Sequence, residues 1–353
     1  MPGQRPTKKS RMTELRVRIA PYDPYARRWN MRRFITLIGL FFVLLTCTGV
    51  QTLQAQPYPS HPIQLIIPGA PGDAGDIAGR LLMEELTKIL KTPIIAVNKP
   101  GGAAAVGTDF VAKSKKDGYT LLYGITAGTV YSPALSPETI PYDPVRDLEP
   151  LGFHVFFPCS LAVQSESSWK SFPEVIDYAK KNPGRFRFST LGVGSINHFQ
   201  LEIIESLTGA NFSLIPFKGA SPAVTGLLGG HVEATFLALA VTEPHQRSGK
   251  LRGILLDRKV PALADIPTLR DLGYMKDLPS PWAGIYGPTG MSEEAKKVLI
   301  PAIERAIKTP ELMSRVQKLW FLPSYKPPSE HKALWVEDYE NAKTLSKKMG
   351  LVK

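Results

Sequence analysis

The segment that decides the fold spans residues 186–205 and reads FRFSTLGVGSINHFQLEIIE. Alternating apolar residues at its start predict a short strand, which Gly192 and Gly194 then interrupt. Ser195 is a candidate N-cap of a following helix, whose apolar residues recur at helical spacing. A strand, a glycine turn and a helix N-terminus bring unpaired backbone N–H groups to one point. Because the helix dipole also favours negative charge there, this point is a candidate anion site.

The same order of strand, loop and helix occurs twice more in the chain. A predicted strand over Ile63–Ile67 precedes the loop PGAPGDAGD and a helix over Ile77–Leu90. A predicted strand over Ser213–Pro216 precedes FKGAS and a short helix over Pro222–Leu228, with Pro222 suited to the first helical position. Any α/β protein contains turns of this type, but three of them indicate a site for an oriented, charged small ligand.

The positive charge of the chain is concentrated near its start. The formal net charge is +12, yet residues 1–55 hold ten Lys/Arg and two Asp/Glu, which leaves 33 basic and 29 acidic residues elsewhere. No basic run alternates with aromatic residues, so nucleic acid is not an expected partner. The six histidines are scattered without metal-ligand spacing, so neither a metal site nor a cofactor is expected.

Residues 1–55 predict a signal peptide and therefore export to the periplasm. Met31 lies where such a leader begins, so residues 1–30 are interpreted as an overextended gene start. An uncleaved anchor over Phe34–Val50 and a lipid attached to Cys47 are the alternatives. The signature consists of a charged region, an apolar region and a small residue before the cleavage point: Arg32 and Arg33, Phe34–Leu45, and Ala55 before Gln56.

The rest of the chain alternates predicted strands and helices. Its first third reads βαβαβ, which favours a parallel sheet with right-handed crossovers. Linkers near 150–160 and 276–284 would divide the chain into two α/β lobes. The other predicted elements are a proline-rich surface loop over Ser132–Asp147, a strand over Val155–Val163 and helices over Phe172–Lys181, Ile266–Gly273, Ser292–Lys308 and Ser329–Lys348.

Six motifs follow one another in a specific order and spacing between Tyr58 and about Leu322. They are YPSHPIQLIIPGAPG at 58–72, NKPGGAAAVG at 98–107, KDGYTLL at 116–122, GVGSINH at 192–198, PFKGASPAVTGLLGGHVEA at 216–234 and ADIPTLRDLGY at 264–274. Together they resemble the motifs of the tripartite tricarboxylate transporter substrate-binding proteins, also called Bug receptors. The resemblance implies an α/β, two-lobed periplasmic-binding-protein type II fold, in which each lobe is a mostly parallel sheet flanked by helices.

The pattern of elements and linkers predicts a division of the chain, and the resemblance implies a function. Lobe 1 is expected over 56–155, lobe 2 over 156–281, and a return to lobe 1 with C-terminal helices over 282–353. The protein is expected to be a monomeric, non-enzymatic receptor that captures a small organic carboxylate between its lobes. It would pass this ligand to the membrane permease subunits of a tripartite tricarboxylate transporter, or report it to a sensor kinase.

Four loops are expected to bind the ligand, again as the resemblance implies. The first departs from the family pattern PGGGTD, because it reads PGDAGD and puts the charge of Asp73 where a ligand carboxylate is expected. The expected ligand-binding residues are Ala70, Gly72, Asp73, Ala74, Gly75 and Asp76, then Thr126, Ala127, Gly128 and Thr129, then Gly194, Ser195 and His198, and finally Lys218, Gly219, Ala220, Ser221 and Pro222.

Ser195 is the residue on which the competing interpretations differ. Its hydroxyl is expected to donate to the ligand carboxylate, or else to act only as an N-cap. A periplasmic hydrolase with Ser195 as nucleophile and His198 as base is the alternative function. The G-x-S-x-G elbow of such enzymes is absent, and GVGSIN matches a dinucleotide fingerprint only in part, since Asn197 replaces the third glycine.

Overall fold

A computed structural model describes residues 35–36, 57–192, 195–217, 219–274, 277–348, 350 and 352. The predicted signal peptide lies outside these residues apart from the pair 35–36, and so do the predicted ligand contacts Gly194 and Lys218. Residues Gln56–Lys353 form one compact unit. Of the helices in the described part of the chain, none is long and apolar enough to cross a membrane.

The first sheet of the described chain contains six strands. They are β1 (Ile63–Ile67), β2 (Ile94–Asn98), β3 (Thr120–Ile125), β4 (Leu148–Phe156), β10 (Trp282–Pro288) and β11 (Leu322–Lys326). Their spatial order is β11–β4–β10–β3–β1–β2. Strand β1 is parallel to β2 and β3, whereas β10 is antiparallel to β3 and β4, and β11 is antiparallel to β4.

The second sheet, again within the described residues, contains five strands. They are β5 (Cys159–Gln164), β6 (Phe186–Thr190), β7 (Phe212–Pro216), β8 (Ala234–Ala238) and β9 (Leu251–Leu256), in the spatial order β7–β6–β8–β5–β9. Strand β6 is parallel to β7 and β8, whereas β5 is antiparallel to β8 and β9. Each sheet with the helices packed on it is one lobe.

Both sheets are therefore mixed, and the expectation of mostly parallel sheets is wrong in this respect. The predicted two-lobed α/β architecture itself is confirmed. Parallel pairs occur where helical crossovers join successive strands, as in β1 to β3. The antiparallel pairs come from β4, β5 and β10, the strands next to the points where the chain passes between the sheets.

The helices cover the faces of both sheets. They are α1 (Ala74–Leu90), α2 (Ala105–Ala112), α3 (Ser132–Leu135), α4 (Pro144–Asp147), α5 (Phe172–Lys181), α6 (Ile196–Thr208), α7 (Ala220–Leu228), α8 (Leu239–Arg247), α9 (Glu293–Ile307), α10 (Pro310–Gln317) and α11 (Pro328–Lys348). On one face of the first sheet, Leu82, Leu299 and Leu312 are buried against the strands. The opposite face packs against Trp335 of α11. Each fully buried leucine contributes about 1.5–3 kcal/mol of hydrophobic stabilisation.

Several element predictions are confirmed to the residue. Strand β1 and helix α5 have the predicted bounds. Helix α9 begins after Ser292, as predicted, because the Ser292 hydroxyl accepts a hydrogen bond from the backbone N–H of Ala295 at 3.1 Å. Such a cap satisfies one of the donors that a helix N-terminus leaves unpaired.

Other element predictions are wrong. Ser132–Asp147 is not a plain surface loop, because it contains α3 and α4 and because Ser132, Pro133 and Ala134 are buried. Val155–Val163 is not one strand, since the chain leaves β4 at Phe157 and enters the other sheet at Cys159. Ile266–Gly273 forms successive turns rather than a helix, and α7 begins two residues before Pro222.

Candidate functional site

A cleft of about 1420 Å³ is lined by residues of both lobes. The loops after β1, β3, β6 and β7 reach it, in agreement with the rule that ligands bind beyond the carboxyl ends of parallel strands. Among the predicted ligand-binding residues, those that line the cleft are Gly72, Asp73, Ala74, Gly75, Thr126, Ala127, Ser195, Gly219, Ala220, Ser221 and Pro222. The described residues Ala70, Asp76, Gly128, Thr129 and His198 are not part of the lining.

The first loop is held from within by Asp76. This carboxylate is only 4% exposed, and it accepts hydrogen bonds from the backbone N–H of Gly72 at 2.9 Å and from Asn98 Nδ2 at 2.8 Å. Arg80 Nε donates to it at 2.9 Å. Burial raises the pKa of Asp76, but these donors outweigh it, so the pKa lies below its usual value. Asp76 therefore stabilises the loop rather than facing the cleft.

Asp73 lies at the N-cap position of α1, and its side chain makes no cap bond to that helix. Its Oδ2 accepts instead from the backbone N–H of Ala70 at 2.9 Å. The residue is exposed and lines the cleft, so its charge faces the space that a ligand would enter. Asp73, the residue at which this loop departs from the family pattern, is thus part of the cleft surface.

The chain after β3 forms a π-helical turn over Ala127–Tyr131. Two of its carbonyl groups accept hydrogen bonds from side chains. Tyr142 Oη donates to the Gly128 carbonyl at 2.6 Å, and Trp335 Nε1 donates to the Thr129 carbonyl at 2.8 Å. A Cβ on residue 128 would lie 2.5 Å from Thr108 Oγ1, so only glycine fits. Gly128 and Thr129 support this part of the wall, while Thr126 and Ala127 form its surface.

The start of α6 forms the second-lobe wall. Ser195 occupies the N-cap position with an extended backbone, but its side chain makes no cap bond. Its hydroxyl donates to the Gly192 carbonyl at 2.7 Å. Gly192 has φ +106°, a conformation that a side chain would disfavour. The hydroxyl of Ser195 was expected to donate to a ligand carboxylate. In this structure it donates to a carbonyl group of its own loop instead.

His198 lies one turn into the same helix and is 7% exposed. Its Nε2 lies 3.5 Å from Glu202 Oε1. Burial lowers the pKa of His198, and the nearby Glu202 carboxylate only partly offsets this effect. An activated serine gives its proton to a base, whereas the Ser195 proton is donated to a backbone carbonyl.

The sequence did not single out several residues that line the cleft. Asn197 and Asp109 are among them, and so are the hydroxyl residues Ser132, Ser136 and Thr139. The three hydroxyl residues were missed because their segment was interpreted as a surface loop. The signal that could have found Asn197 was its place in the first turn after the glycine loop. The apolar part of the cleft includes Tyr131, Phe157, Cys159, Phe236, Pro281 and Trp282.

The charged side chains among the described lining residues are both acidic. They are Asp73 and Asp109, and the described lining contains no Lys, Arg or His. Asp109 Oδ1 lies 2.7 Å from Lys113 Nζ, one turn further along α2. Among the described lining residues, an anion would therefore find backbone N–H groups and neutral side-chain donors. His, Cys, Asp and Glu side chains of the described residues form no group of three or more that could hold a metal ion.

The floor of the cleft lies where the chain passes between the lobes. Asp257 is fully buried there, and its Oδ1 accepts from the backbone N–H of Cys159 at 2.9 Å. The neighbouring Arg258 donates to Ser280 Oγ at 2.8 Å, and its guanidinium lies 3.4 Å from the centre of the Phe156 ring. These contacts connect the outgoing and the returning segment. Burial raises the pKa of Asp257 to about 7.

The sequence profile of the tripartite tricarboxylate transporter family receptor matches residues 78–351. The chain belongs to this family. BugT of Bordetella pertussis is 33% identical over 283 residues, which cover 79% of this chain and 86% of BugT. A solved structure of a periplasmic transporter is 30% identical with a TM-score of 0.74, and the match covers 83% of this chain and 99% of that one. A TctC solute-binding protein from Polaromonas is 28% identical with a TM-score of 0.71, over 82% and 99% of the two chains.

As a member of the tripartite tricarboxylate transporter receptor family, this protein is a solute-binding receptor. The sequence resemblance to Bug receptors is confirmed, and so is the two-lobed fold expected from it. The relatives give no support to the hydrolase alternative. The bond from Ser195 to the Gly192 carbonyl agrees with them, because the hydroxyl donates its proton to a backbone carbonyl rather than to a base.

Proposed function

We propose that this protein is an exported receptor that captures a small organic carboxylate in the cleft between its lobes. The observation that carries the proposal is the convergence of three helix N-termini, those of α1, α6 and α7, on one cleft. The first N–H groups of a helix have no partner within it, so they are free to donate to an anion. Backbone donors can hold a carboxylate without a basic side chain, which suits a lining whose described charged residues are acidic.

The lobes close on the ligand in this proposal. Lobe 1 comprises 56–155, lobe 2 comprises 156–281, and 282–353 returns to lobe 1. The connection through Phe157 and the returning segment that ends at Pro281 both line the cleft floor, so rotation there would bring the two walls together. In the closed state, the second-lobe loops and the loop at Asp73 contact one ligand from opposite sides.

The receptor serves membrane permease subunits of a tripartite tricarboxylate transporter, as the family description indicates. A sensor kinase is the alternative partner. The protein reaches the periplasm by means of the predicted signal peptide within residues 1–55, and it works as a monomer without catalysing a reaction. Periplasmic location agrees with the periplasmic transporter among its structural relatives.

Ligand screening tests the proposed function. Succinate, L-malate, adipate and benzoate are offered to the exported protein, and succinamide serves as the uncharged control of succinate. We expect at least one acid to raise the melting temperature and to bind in isothermal titration, while succinamide does neither. Small-angle scattering at saturation with that acid should show a smaller radius of gyration. Failure of the acids to bind, or a clear preference for succinamide, would contradict the proposed function.

A further inference from the structure

We infer that Asn197 donates a side-chain hydrogen bond to the carboxylate of the ligand and is thereby a specificity-determining residue of the cleft. The inference rests on the proposed function and adds a contact to it. Asn197 is the second residue of α6, it lines the cleft, and it is 1% exposed. It is therefore a buried polar side chain at the point where the first turn of α6 opens into the cleft.

The hydrogen bonds of Asn197 fix which end of its amide is available. Its Oδ1 accepts from the backbone N–H of Leu191 at 3.4 Å. An N–H group needs an acceptor, so the oxygen must face Leu191 and the Nδ2 group must point elsewhere. In the described structure, Nδ2 has no hydrogen-bond partner although it is buried. Buried donors without an acceptor are costly and uncommon in native proteins. We therefore expect a bound ligand to supply the acceptor for Asn197 Nδ2.

The neighbouring Ser195 does not offer a competing side-chain donor to the ligand. A serine hydroxyl carries one proton, and the Ser195 proton is donated to the Gly192 carbonyl at 2.7 Å. Ser195 and Asn197 both line the cleft at the start of α6, but only the amide of Asn197 keeps a donor without a partner. Since the first backbone N–H groups of α6 also lack intrahelical partners, Asn197 adds a side-chain donor to an existing backbone anion site.

The chemistry of this donor defines the group it binds. The NH₂ of an asparagine amide donates two hydrogen bonds and accepts none, so its partner must be an acceptor such as a carboxylate oxygen. Because the amide is neutral, it holds the anion without adding a charge to a cleft whose described charged residues are Asp73 and Asp109. The NH₂ group of a ligand amide at the same place is also a donor and could not accept a hydrogen bond from Asn197. The site should therefore discriminate between an acid and its amide.

Two substitutions of Asn197 test the inference. The tightest-binding acid among succinate, L-malate, adipate and benzoate is titrated into the wild type and into each variant. We expect Asn197→Ala to weaken binding about ten- to a hundredfold, the value of a hydrogen bond to a charged group. Asn197→Asp should weaken it more, because a carboxylate takes the place of the donor.

Affinity and melting temperature, measured together, separate a ligand contact from a structural role. Asn197→Asp keeps an oxygen for the Leu191 N–H and places a negative charge in the first turn of α6, where the helix dipole favours it. Because this side chain is 1% exposed, burying the charge should cost more than the dipole contributes, so we expect the melting temperature without ligand to fall along with the affinity. An Asn197→Asp protein that is less stable than the wild type, with affinity unchanged in both variants, would overturn the inference and leave Asn197 as a structural acceptor.

Thr208→Ala is the matched control, because Thr208 lies at the opposite end of α6. Its Oγ1 donates to the Ile204 carbonyl at 2.7 Å and accepts from the Ala210 N–H at 3.2 Å. We expect Thr208→Ala to lower the melting temperature and to keep wild-type affinity. Loss of affinity in Thr208→Ala equal to that in Asn197→Ala would show that general damage to α6 explains both, and would overturn the inference. If the wild type binds none of the four acids, the proposed function itself fails.

Discussion

The two walls of the cleft use their polar groups differently. In the first lobe, Asp76 accepts from three donors, and Ser132 Oγ donates to the Ala103 carbonyl at 2.8 Å. In the second lobe, the Nδ2 group of Asn197 stays without a partner among the described residues. A wall whose polar groups bind one another is formed before a ligand arrives, whereas a wall with a free donor gains a hydrogen bond on binding. The first lobe therefore sets the shape of the cleft, and the second lobe supplies the donor that we propose for selecting the anion.

Removing Asp76 should have the largest effect, because it breaks the support of the first wall. In Asp76→Ala, Asn98 and the Gly72 N–H lose their acceptor and Arg80 loses its ion pair. We expect the free energy of unfolding to fall by about 3 kcal/mol, since hydrogen bonds to a buried charged group are lost. Urea denaturation measures this loss, and ligand affinity should fall with it.

Asp73→Ala is the natural control for that variant. Asp73 belongs to the same loop, but it is exposed and its side chain accepts from the Ala70 N–H. Its removal should cost about 1 kcal/mol or less. Equal losses in the two variants would contradict the view that the first wall depends on the network around Asp76.

The floor between the walls should respond to pH through Asp257. Its pKa is raised to about 7 by burial, above the value of 3.8 for an unperturbed carboxyl group. The folded state then binds a proton that the unfolded state lacks, so this group adds stability as the pH falls from about 7 towards 4. The buried His154 acts in the opposite direction, because its pKa is lowered to about 3 and its contribution is lost below pH 6.5.

Asp257→Asn should remove the first of these opposing effects. Between pH 7 and pH 5, we expect the variant to lose about 2 kcal/mol of unfolding free energy relative to the wild type, as linkage predicts for one carboxyl group. Urea denaturation at both pH values measures the difference. Parallel pH dependence in the wild type and the variant would show that Asp257 titrates as an ordinary carboxyl group.

Substitution of Asp109 tests whether the acidic charge of the first wall weakens the binding of an anion. In Asp109→Asn, the side chain keeps its shape and loses a negative charge at the cleft, which is only partly offset by its ion pair with Lys113. We expect the affinity for the tightest-binding acid of the screen to rise by about threefold at low salt, and the gain to shrink as salt is added, because such interactions are screened over roughly 10 Å. A lower affinity would mean that Asp109 assists the ligand, as it would for one with a cationic group.

The parts of the fold that depend on local sequence could be predicted. Alternation and caps indicated the bounds of β1 and α5 and the start of α9 at Ser292, because these signals lie within one element. The segment Ser132–Asp147 could not be predicted in this way. Its prolines indicate a loop, but α3 packs against α11, which lies about 200 residues further along the chain.

The candidate site could likewise be predicted from sequence only where its signals are local. The glycine loops before α1, α6 and α7 were visible, because a strand, a loop and a helix start form a local pattern. The role of Asp76 was not visible, since it depends on Asn98, 22 residues further along the chain. Asn197 was noted only as the residue that replaces a glycine. Its free donor follows from a bond to Leu191 that no pattern in the sequence shows.

Ser195→Ala should have the smallest effect and is the closest comparison with Asn197. Because the Ser195 hydroxyl donates to the Gly192 carbonyl, its loss should cost about 0.5–1 kcal/mol of stability, the net value of one partly exposed hydrogen bond. Affinity for the acid that binds the wild type should stay within about twofold, in contrast to Asn197→Ala. Melting temperature and isothermal titration are measured on the same preparation. If affinity instead falls tenfold with an unchanged melting temperature, the hydroxyl turns from Gly192 to the ligand on binding, and the second wall contributes two side-chain donors rather than one.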